Sequence, residues 1–288
     1  MDDKKEIDDI SGVETTGHEW DGIKELNNPL PRWWLWTWYA TIAWALVYVI
    51  LFPAIPLIKG ATPGLLGYSS RSELAKEVAI AAEAKVELVS KIEALEVADI
   101  LDDADLTRFA VQGGKSAFKV YCSQCHGAGA AGASGFPNLN DDDWLWGGSV
   151  DDIYTTIAHG VRYEADEDTR LSDMPAFGEI LETAEIRATA NFVASLSGLE
   201  HDQASLAVGK VVFEENCSAC HGEQGEGIRE VGAPKLNDAL WLYAGSVDEV
   251  AAQISKPKQG IMPAWQARLG DATVKQLAIY VHSLGGGE

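Results

Sequence analysis

All four cysteines of this 288-residue chain fall in two copies of one pentapeptide, Cys122-Ser-Gln-Cys125-His126 and Cys217-Ser-Ala-Cys220-His221. Zinc ribbons and redox dithiols both use Cys-x-x-Cys pairs. Neither needs a histidine directly after the second cysteine of each pair, and a structural disulfide does not need one either. Covalent haem attachment does. Two thiols one helical step apart add to the two vinyl groups of one haem, and the adjacent imidazole reaches the iron. The pentapeptides therefore imply two covalently bound haem c groups, attached through Cys122, Cys125, Cys217 and Cys220, with His126 and His221 as axial iron ligands.

An iron held by histidine in an electron-transfer protein often takes methionine as its second axial ligand. The chain has three methionines, and one is Met1. Met174 lies in "DMPAFG" after the first pentapeptide, and Met262 lies in "IMPAWQ" after the second. A lone methionine is usually core filler. Here one Met-Pro-Ala-aromatic follows each attachment motif, so Met174 and Met262 are the expected sixth ligands. Which serves which iron is open, and exchange between two facing units is conceivable. His159, in "IAHGVR", is a rival ligand for the first iron, although a packing role fits it better.

The pentapeptides sit inside an internal duplication. "GGKSAFKVYCSQCHG" answers to "AVGKVVFEENCSACHG", and "PNLNDDDWLWGGSVDDI" to "PKLNDALWLYAGSVDEV". Gly114, Phe118 and Cys122 follow an i, i+4 spacing, as do Gly209, Phe213 and Cys217, which places each trio on one helical face. Each unit closes with an amphipathic stretch, 182–198 and 270–286, carrying Phe192 and Tyr280 on the apolar faces. Each unit resembles a class I cytochrome c domain. That resemblance implies a small all-α fold in which the first and last helices cross around a haem, the Gly and Phe of the first meeting the aromatic of the last. Units this short, with Gly-rich loops, bury little surface on their own, and a covalent haem would supply the missing apolar centre.

From Trp33 to Ile58 no residue is charged. A fully helical run of that length would reach about 39 Å, enough to cross the hydrocarbon core of a bilayer. Trp33, Trp34, Trp36 and Trp38 crowd one end as interfacial aromatics do, and Pro53 and Pro56 mark the other. The preceding segment is long and acidic, unlike the basic start of a cleaved signal peptide. One permanent membrane helix is expected. The flanking lysines and arginines do not settle its orientation and lean slightly toward the opposite one. The attachment motifs decide it, because bacteria attach haem outside the cytoplasmic membrane. The stretch 71–106 contains neither Gly nor Pro and reads as helix.

The expected organisation is therefore all-α. It comprises a cytoplasmic segment 1–32, a transmembrane helix 33–58, a periplasmic helical linker 59–106, and tandem cytochrome c domains at 107–200 and 201–288. The location is the bacterial inner membrane, single-pass, with the N-terminus cytoplasmic. The formal net charge of −22 excludes nucleic acid as a natural partner. It suits a basic redox partner such as a cytochrome c, for which the acidic loop 163–168 is a candidate docking patch.

The membrane helix contains no His, Asp, Glu, Lys or Arg, so it offers no metal site or proton relay. Two closed irons leave no position for substrate. Catalysis by this chain alone is not expected. At the front, "TTGHEWDGIKELNNPLPRWWLWTWYATIAWALVYVILFPAIP" followed by "GYSSRSEL" resembles the start of the FixP/CcoP subunit of cbb3-type cytochrome c oxidases. With the two haem units behind it, the resemblance covers nearly the whole chain. It implies an electron-transfer subunit that receives electrons from a cytochrome c donor. They would pass through a mono-haem subunit to the catalytic subunit, which reduces oxygen and pumps protons. A tethered di-haem cytochrome serving another periplasmic enzyme would share all but the front end. A di-haem peroxidase-like enzyme would need one iron without a strong sixth ligand, which Met174 and Met262 together argue against.

Overall fold

The computed structural model describes residues 6–243 and 245–287. Residues 1–5 of the N-terminal segment, Lys4 and Lys5 among them, lie outside the described residues. The chain divides into two compact units, 1–84 and 85–288.

The first unit opens with a β-hairpin that the sequence reading did not anticipate. Strands β1 (Thr15–Trp20) and β2 (Ile23–Leu26) pair antiparallel. Their turn is Asp21-Gly22, both residues at positive φ (48° and 84°), the backbone that a two-residue hairpin needs and that Asp-Gly adopts at little cost. Helix α1 (Arg32–Leu51) follows and has no buried residue. It spans about 30 Å and is the one helix among the described residues long and apolar enough to cross a membrane. It stops at Leu51, short of the end of the apolar run. Pro53 disfavours helical backbone at Phe52, which is extended (φ −116°, ψ 160°). The remaining apolar residues turn back through the short strands β3 (Pro56–Leu57) and β4 (Gly60–Ala61). The Ile50 and Leu51 carbonyls at the helix end accept hydrogen bonds from the Leu65 and Leu66 amides, which satisfies groups a helix terminus otherwise leaves open. Helix α2 (Ser70–Glu83) begins at Ser69, whose side chain accepts from the Ser72 amide.

The second unit holds α3 (Val86–Ala94), α4 (Ala104–Tyr121), α5 (Ser123–His126), α6 (Val150–His159), α7 (Thr183–Leu196), α8 (Leu206–Asn216), α9 (Ser218–His221), α10 (Val247–Ser255), α11 (Gln266–Leu269) and α12 (Asp271–His282). The helical stretch expected over 71–106 is broken, although it has no Gly or Pro. Tertiary contacts set the break after α3. Ile92, Val97 and Ile100 are buried. The ammonium group of the buried Lys275 donates to the carbonyls of Ile92, Glu93 and Leu95 at the end of α3. Asp103 then caps α4, accepting from the amides of Asp105 and Leu106. The duplicated "GSVDDI" and "GSVDEV" are helix starts. Ser149 accepts from the Asp152 amide and Ser246 from the Glu249 amide, with acidic residues in the first turn, where the helix dipole favours them.

Two apolar cores result, and each draws on both repeats. In the first, Phe118 and Ala110 of α4 and Ile153 and Ile157 of α6 pack with Val274, Leu277 and Ile279 of α12. In the second, Phe213 of α8 and Val250 and Ile254 of α10 pack with Ile186, Ala190 and Val193 of α7. Phe118 meets Tyr280 edge-on at 5.4 Å, and Phe213 meets Phe192 at 5.3 Å. The crossing of a first helix with an aromatic last helix is the one expected, but each first helix has taken the last helix of the other repeat. Two glycines permit the close approach. A β-carbon at Gly114 would strike the Gln276 carbonyl oxygen and lie 2.6 Å from the Tyr280 β-carbon. One at Gly209 would strike the Ala188 carbonyl oxygen and lie 2.9 Å from the Phe192 β-carbon. Near-equal repeats offer near-equal partners, so exchange sacrifices little contact energy. The short connection from α7 to α8 then favours pairing those two neighbours in the chain.

Candidate haem sites

The two attachment motifs have matching local structure. Helix α4 runs into Cys122, whose amide donates to the Phe118 carbonyl, and the His126 amide donates to the Cys122 carbonyl at 3.0 Å. In the second copy the Cys217 amide donates to the Phe213 carbonyl at 2.8 Å, and the His221 amide to the Cys217 carbonyl at 3.0 Å. Cys122 and Cys217 are largely buried at the core, whereas Cys125 and Cys220 are exposed. Each pair thus presents one inner and one outer thiol along a short helical turn.

Both histidines are oriented the same way. His126 Nδ1 lies 3.1 Å from the Pro137 carbonyl oxygen, and His221 Nδ1 lies 3.0 Å from that of Pro234. Such a bond fixes the ring, makes Nδ1 the protonated nitrogen and leaves Nε2 as the ligating atom. Burial lowers the pKa of both imidazoles, partly offset by the proline carbonyls, so each is held in the neutral form that binds metal. Burial pushes the Cys122 and Cys217 thiols up to about 11. A redox dithiol needs the opposite shift. No group of three ligand atoms from His, Cys, Asp or Glu includes a cysteine among the described residues, which does not fit a zinc ribbon.

The methionines are half-buried and separate cleanly. Met262 packs against the core that contains Cys122, and Met174 against the core that contains Cys217. Their segments run beside one another where the repeats cross. Val161 and Met262 exchange amide-to-carbonyl bonds at 2.9 and 3.0 Å. The Gln259 side chain brackets Met174, accepting from its amide and donating to its carbonyl.

Among the described residues, two buried donors have no partner, Trp241 Nε1 and Arg170 Nε. Trp241 packs against the core of Cys217 and Met174. The Arg170 guanidinium lies over the Trp146 ring at 5.5 Å and bonds Asp152 at 3.0 Å. Orphaned buried donors are costly, and a haem carries two propionates able to accept from them. The thiol pairs, the oriented imidazoles, a methionine in each core and these donors together fit two haem c groups. Trp241 stands in the repeat opposite Trp144, so the duplicated "DWLW" and "LWLY" held a signal for this residue that sequence reasoning did not use. Arg162 donates to the Gly260 and Ser172 carbonyls at 2.8 and 2.9 Å. His159 faces Asp166, with Nδ1 3.1 Å from Oδ1.

Comparisons with known proteins match both units of the chain. A model described as the N-terminal domain of cytochrome oxidase-cbb3, FixP, matches residues 12–59. One described as cytochrome c oxidase, cbb3-type, subunit III, matches 109–193 and again 204–281. The chain is 55% identical to the cbb3-type cytochrome c oxidase subunit FixPc of Rhizobium leguminosarum bv. viciae, covering 99% of each. It is 54% identical to FixP of Rhizobium meliloti (strain 1021), covering 100% of this chain and 99% of the other. It is 48% identical to the subunit CcoP of Cereibacter sphaeroides over 95% of each. These matches, which span both units, place this chain in the FixP/CcoP family, the cytochrome c subunits of cbb3-type cytochrome c oxidases.

Proposed function

We propose that this chain is a membrane-anchored di-haem relay. It takes electrons from a cytochrome c donor and hands them, through a mono-haem subunit, to the subunit that reduces oxygen and pumps protons. Cys122, Cys125 and His126 would hold one haem c with Met262 as sixth ligand, and Cys217, Cys220 and His221 the other with Met174. A haem c closed by His and Met changes by one electron and binds no substrate, so catalysis belongs to the partner subunits. The pairing rests on one observation: each attachment motif shares an apolar core with the methionine of the other repeat. The protein's own residues orient the imidazoles through proline carbonyls and exclude water with Phe118 and Phe213, both essentially inaccessible. Helix α1 holds the relay at the bilayer. The N-terminal segment would be cytoplasmic and residues 59–288 periplasmic, where haem attachment takes place. The strongly negative charge favours a basic donor.

Haem content and carbon monoxide binding of the reduced, isolated chain test the reading. Two c-type haems that do not bind the gas are expected. Fewer than two haems, or rapid binding at either, would contradict it.

A further inference from the structure

Helix α6 ends at His159, and the loop after it is closed by a bridge between Val161 and Arg170. Inside that loop His159, Asp166 and Asp168 form a cluster that neither candidate haem site uses. One ligand atom from each lies within 4.8 Å of the other two. The His159 and Asp166 side chains are 29% and 22% exposed, while Asp168 faces solvent. The two arginines of the loop are turned elsewhere, Arg162 to the Gly260 and Ser172 carbonyls and Arg170 to Asp152 and Trp146. Two carboxylates thus converge on one imidazole without either arginine between them. The Asp168 amide donates to Asp166 Oδ1 at 3.0 Å, a turn that holds both carboxylates on the same side of the loop as the imidazole.

We propose that His159, Asp166 and Asp168 bind a divalent first-row transition cation of the zinc type, with water completing the coordination. Donor chemistry points to that class, since one imidazole with two carboxylates suits zinc and its neighbours better than magnesium or calcium. The spacing agrees. Two donors about 2.1 Å from one zinc at a tetrahedral angle stand roughly 3.4 Å apart, and His159 Nδ1 and Asp166 Oδ1 are separated by 3.1 Å. The cation takes the place of the direct hydrogen bond between them. It would tie the end of α6 to the loop whose first residues pair with Met262, although the site stands independently of the haem assignment.

Zinc chloride titrated by calorimetry into the haem-loaded full chain in detergent, with excess magnesium to occupy the general acidic surface, tests the proposal. One saturating site is expected. His159→Gln and Asp166→Asn should each weaken it at least ten-fold, and Glu164→Gln, in the same loop but outside the cluster, by less than two-fold. Zinc-edge X-ray absorption on the wild-type chain, which depends on no variant folding, should report one nitrogen among oxygen ligands. No saturable binding, a shell containing sulfur or lacking nitrogen, or equal weakening by all three variants would overturn the proposal.

Discussion

Trp241 is a large aromatic whose indole N–H is buried without a partner, in the same core as Cys217 and Met174. On the proposed reading it donates to a propionate of the second haem and offsets negative charge beside the iron. Trp241→Phe keeps the ring and removes the donor. It should lower the reduction potential of that haem and leave the first unchanged, as read by spectroelectrochemical titration of the two c-type haems. The cysteines and histidines were legible as ligand candidates because covalent attachment demands a fixed spacing, and the methionines because one Met-Pro-Ala-aromatic follows each motif. The tryptophan was not, since an aromatic inside a repeat reads equally well as packing until a buried, unpaired N–H is seen. Gly114 makes a similar point. Its distance from Phe118 and Cys122 gave the helix face, but only the approach of Gln276 and Tyr280 shows why a side chain is intolerable there. Gly114→Ala overpacks that contact and should cost about 1–3 kcal/mol, measured as lost thermal stability of the haem-loaded chain.

Among the helices, α12 is the most heavily buried, and a polar network fastens it to α3 and α6. The Lys275 ammonium lies 2.6 Å from the Asp271 carboxylate and caps the end of α3. Asp271 also accepts from Tyr154 at 2.6 Å and Gln266 at 3.0 Å. Lys275→Met leaves three carbonyls without their shared donor. At about 1–3 kcal/mol for such a loss, hydrogen exchange over 86–95 should quicken ahead of exchange in α7 and α8. The network also has a pH window. Burial raises the Asp271 pKa, but its hydrogen bonds to Lys275, Tyr154 and Gln266 outweigh that, and the carboxyl sits below its ordinary range. Its contribution is therefore present above about pH 4 and lost as pH falls through the lowered value. Desolvation and the bond to Asp271 push the Tyr154 phenol up to about 12. That contribution is complete below about pH 10 and disappears as pH rises toward the shifted value. Protection of α12 in hydrogen exchange should fall at both ends of this range and hold between them. Amphipathic periodicity made the helices legible. The break after α3 was not, because packing on α12 sets it rather than any local breaker. The hairpin at Asp21-Gly22 did have a local signal, but one carried by two residues within an acidic stretch.

At the scale of the whole molecule, the duplication was plain in the sequence and its exchanged packing was not. Both repeats carry the same Gly, Phe and closing aromatic, so each first helix has two acceptable partners, and pattern alone cannot choose between them. The choice has a consequence for the proposed relay. Met262 packs on the core of Cys122 and Met174 on that of Cys217, so on that reading the first haem would take Met262 and the second Met174. The most direct test begins with Cys122→Ser/Cys125→Ser, which leaves only the second haem attached. Carbon monoxide binding to the reduced form of that chain is then compared after Met174→Ala and after Met262→Ala. The crossed arrangement predicts that the parent stays closed to the gas, that Met174→Ala opens the remaining haem, and that Met262→Ala leaves it closed. Opening by Met262→Ala with Met174→Ala remaining closed would contradict the crossed pairing and return each methionine to the motif it follows.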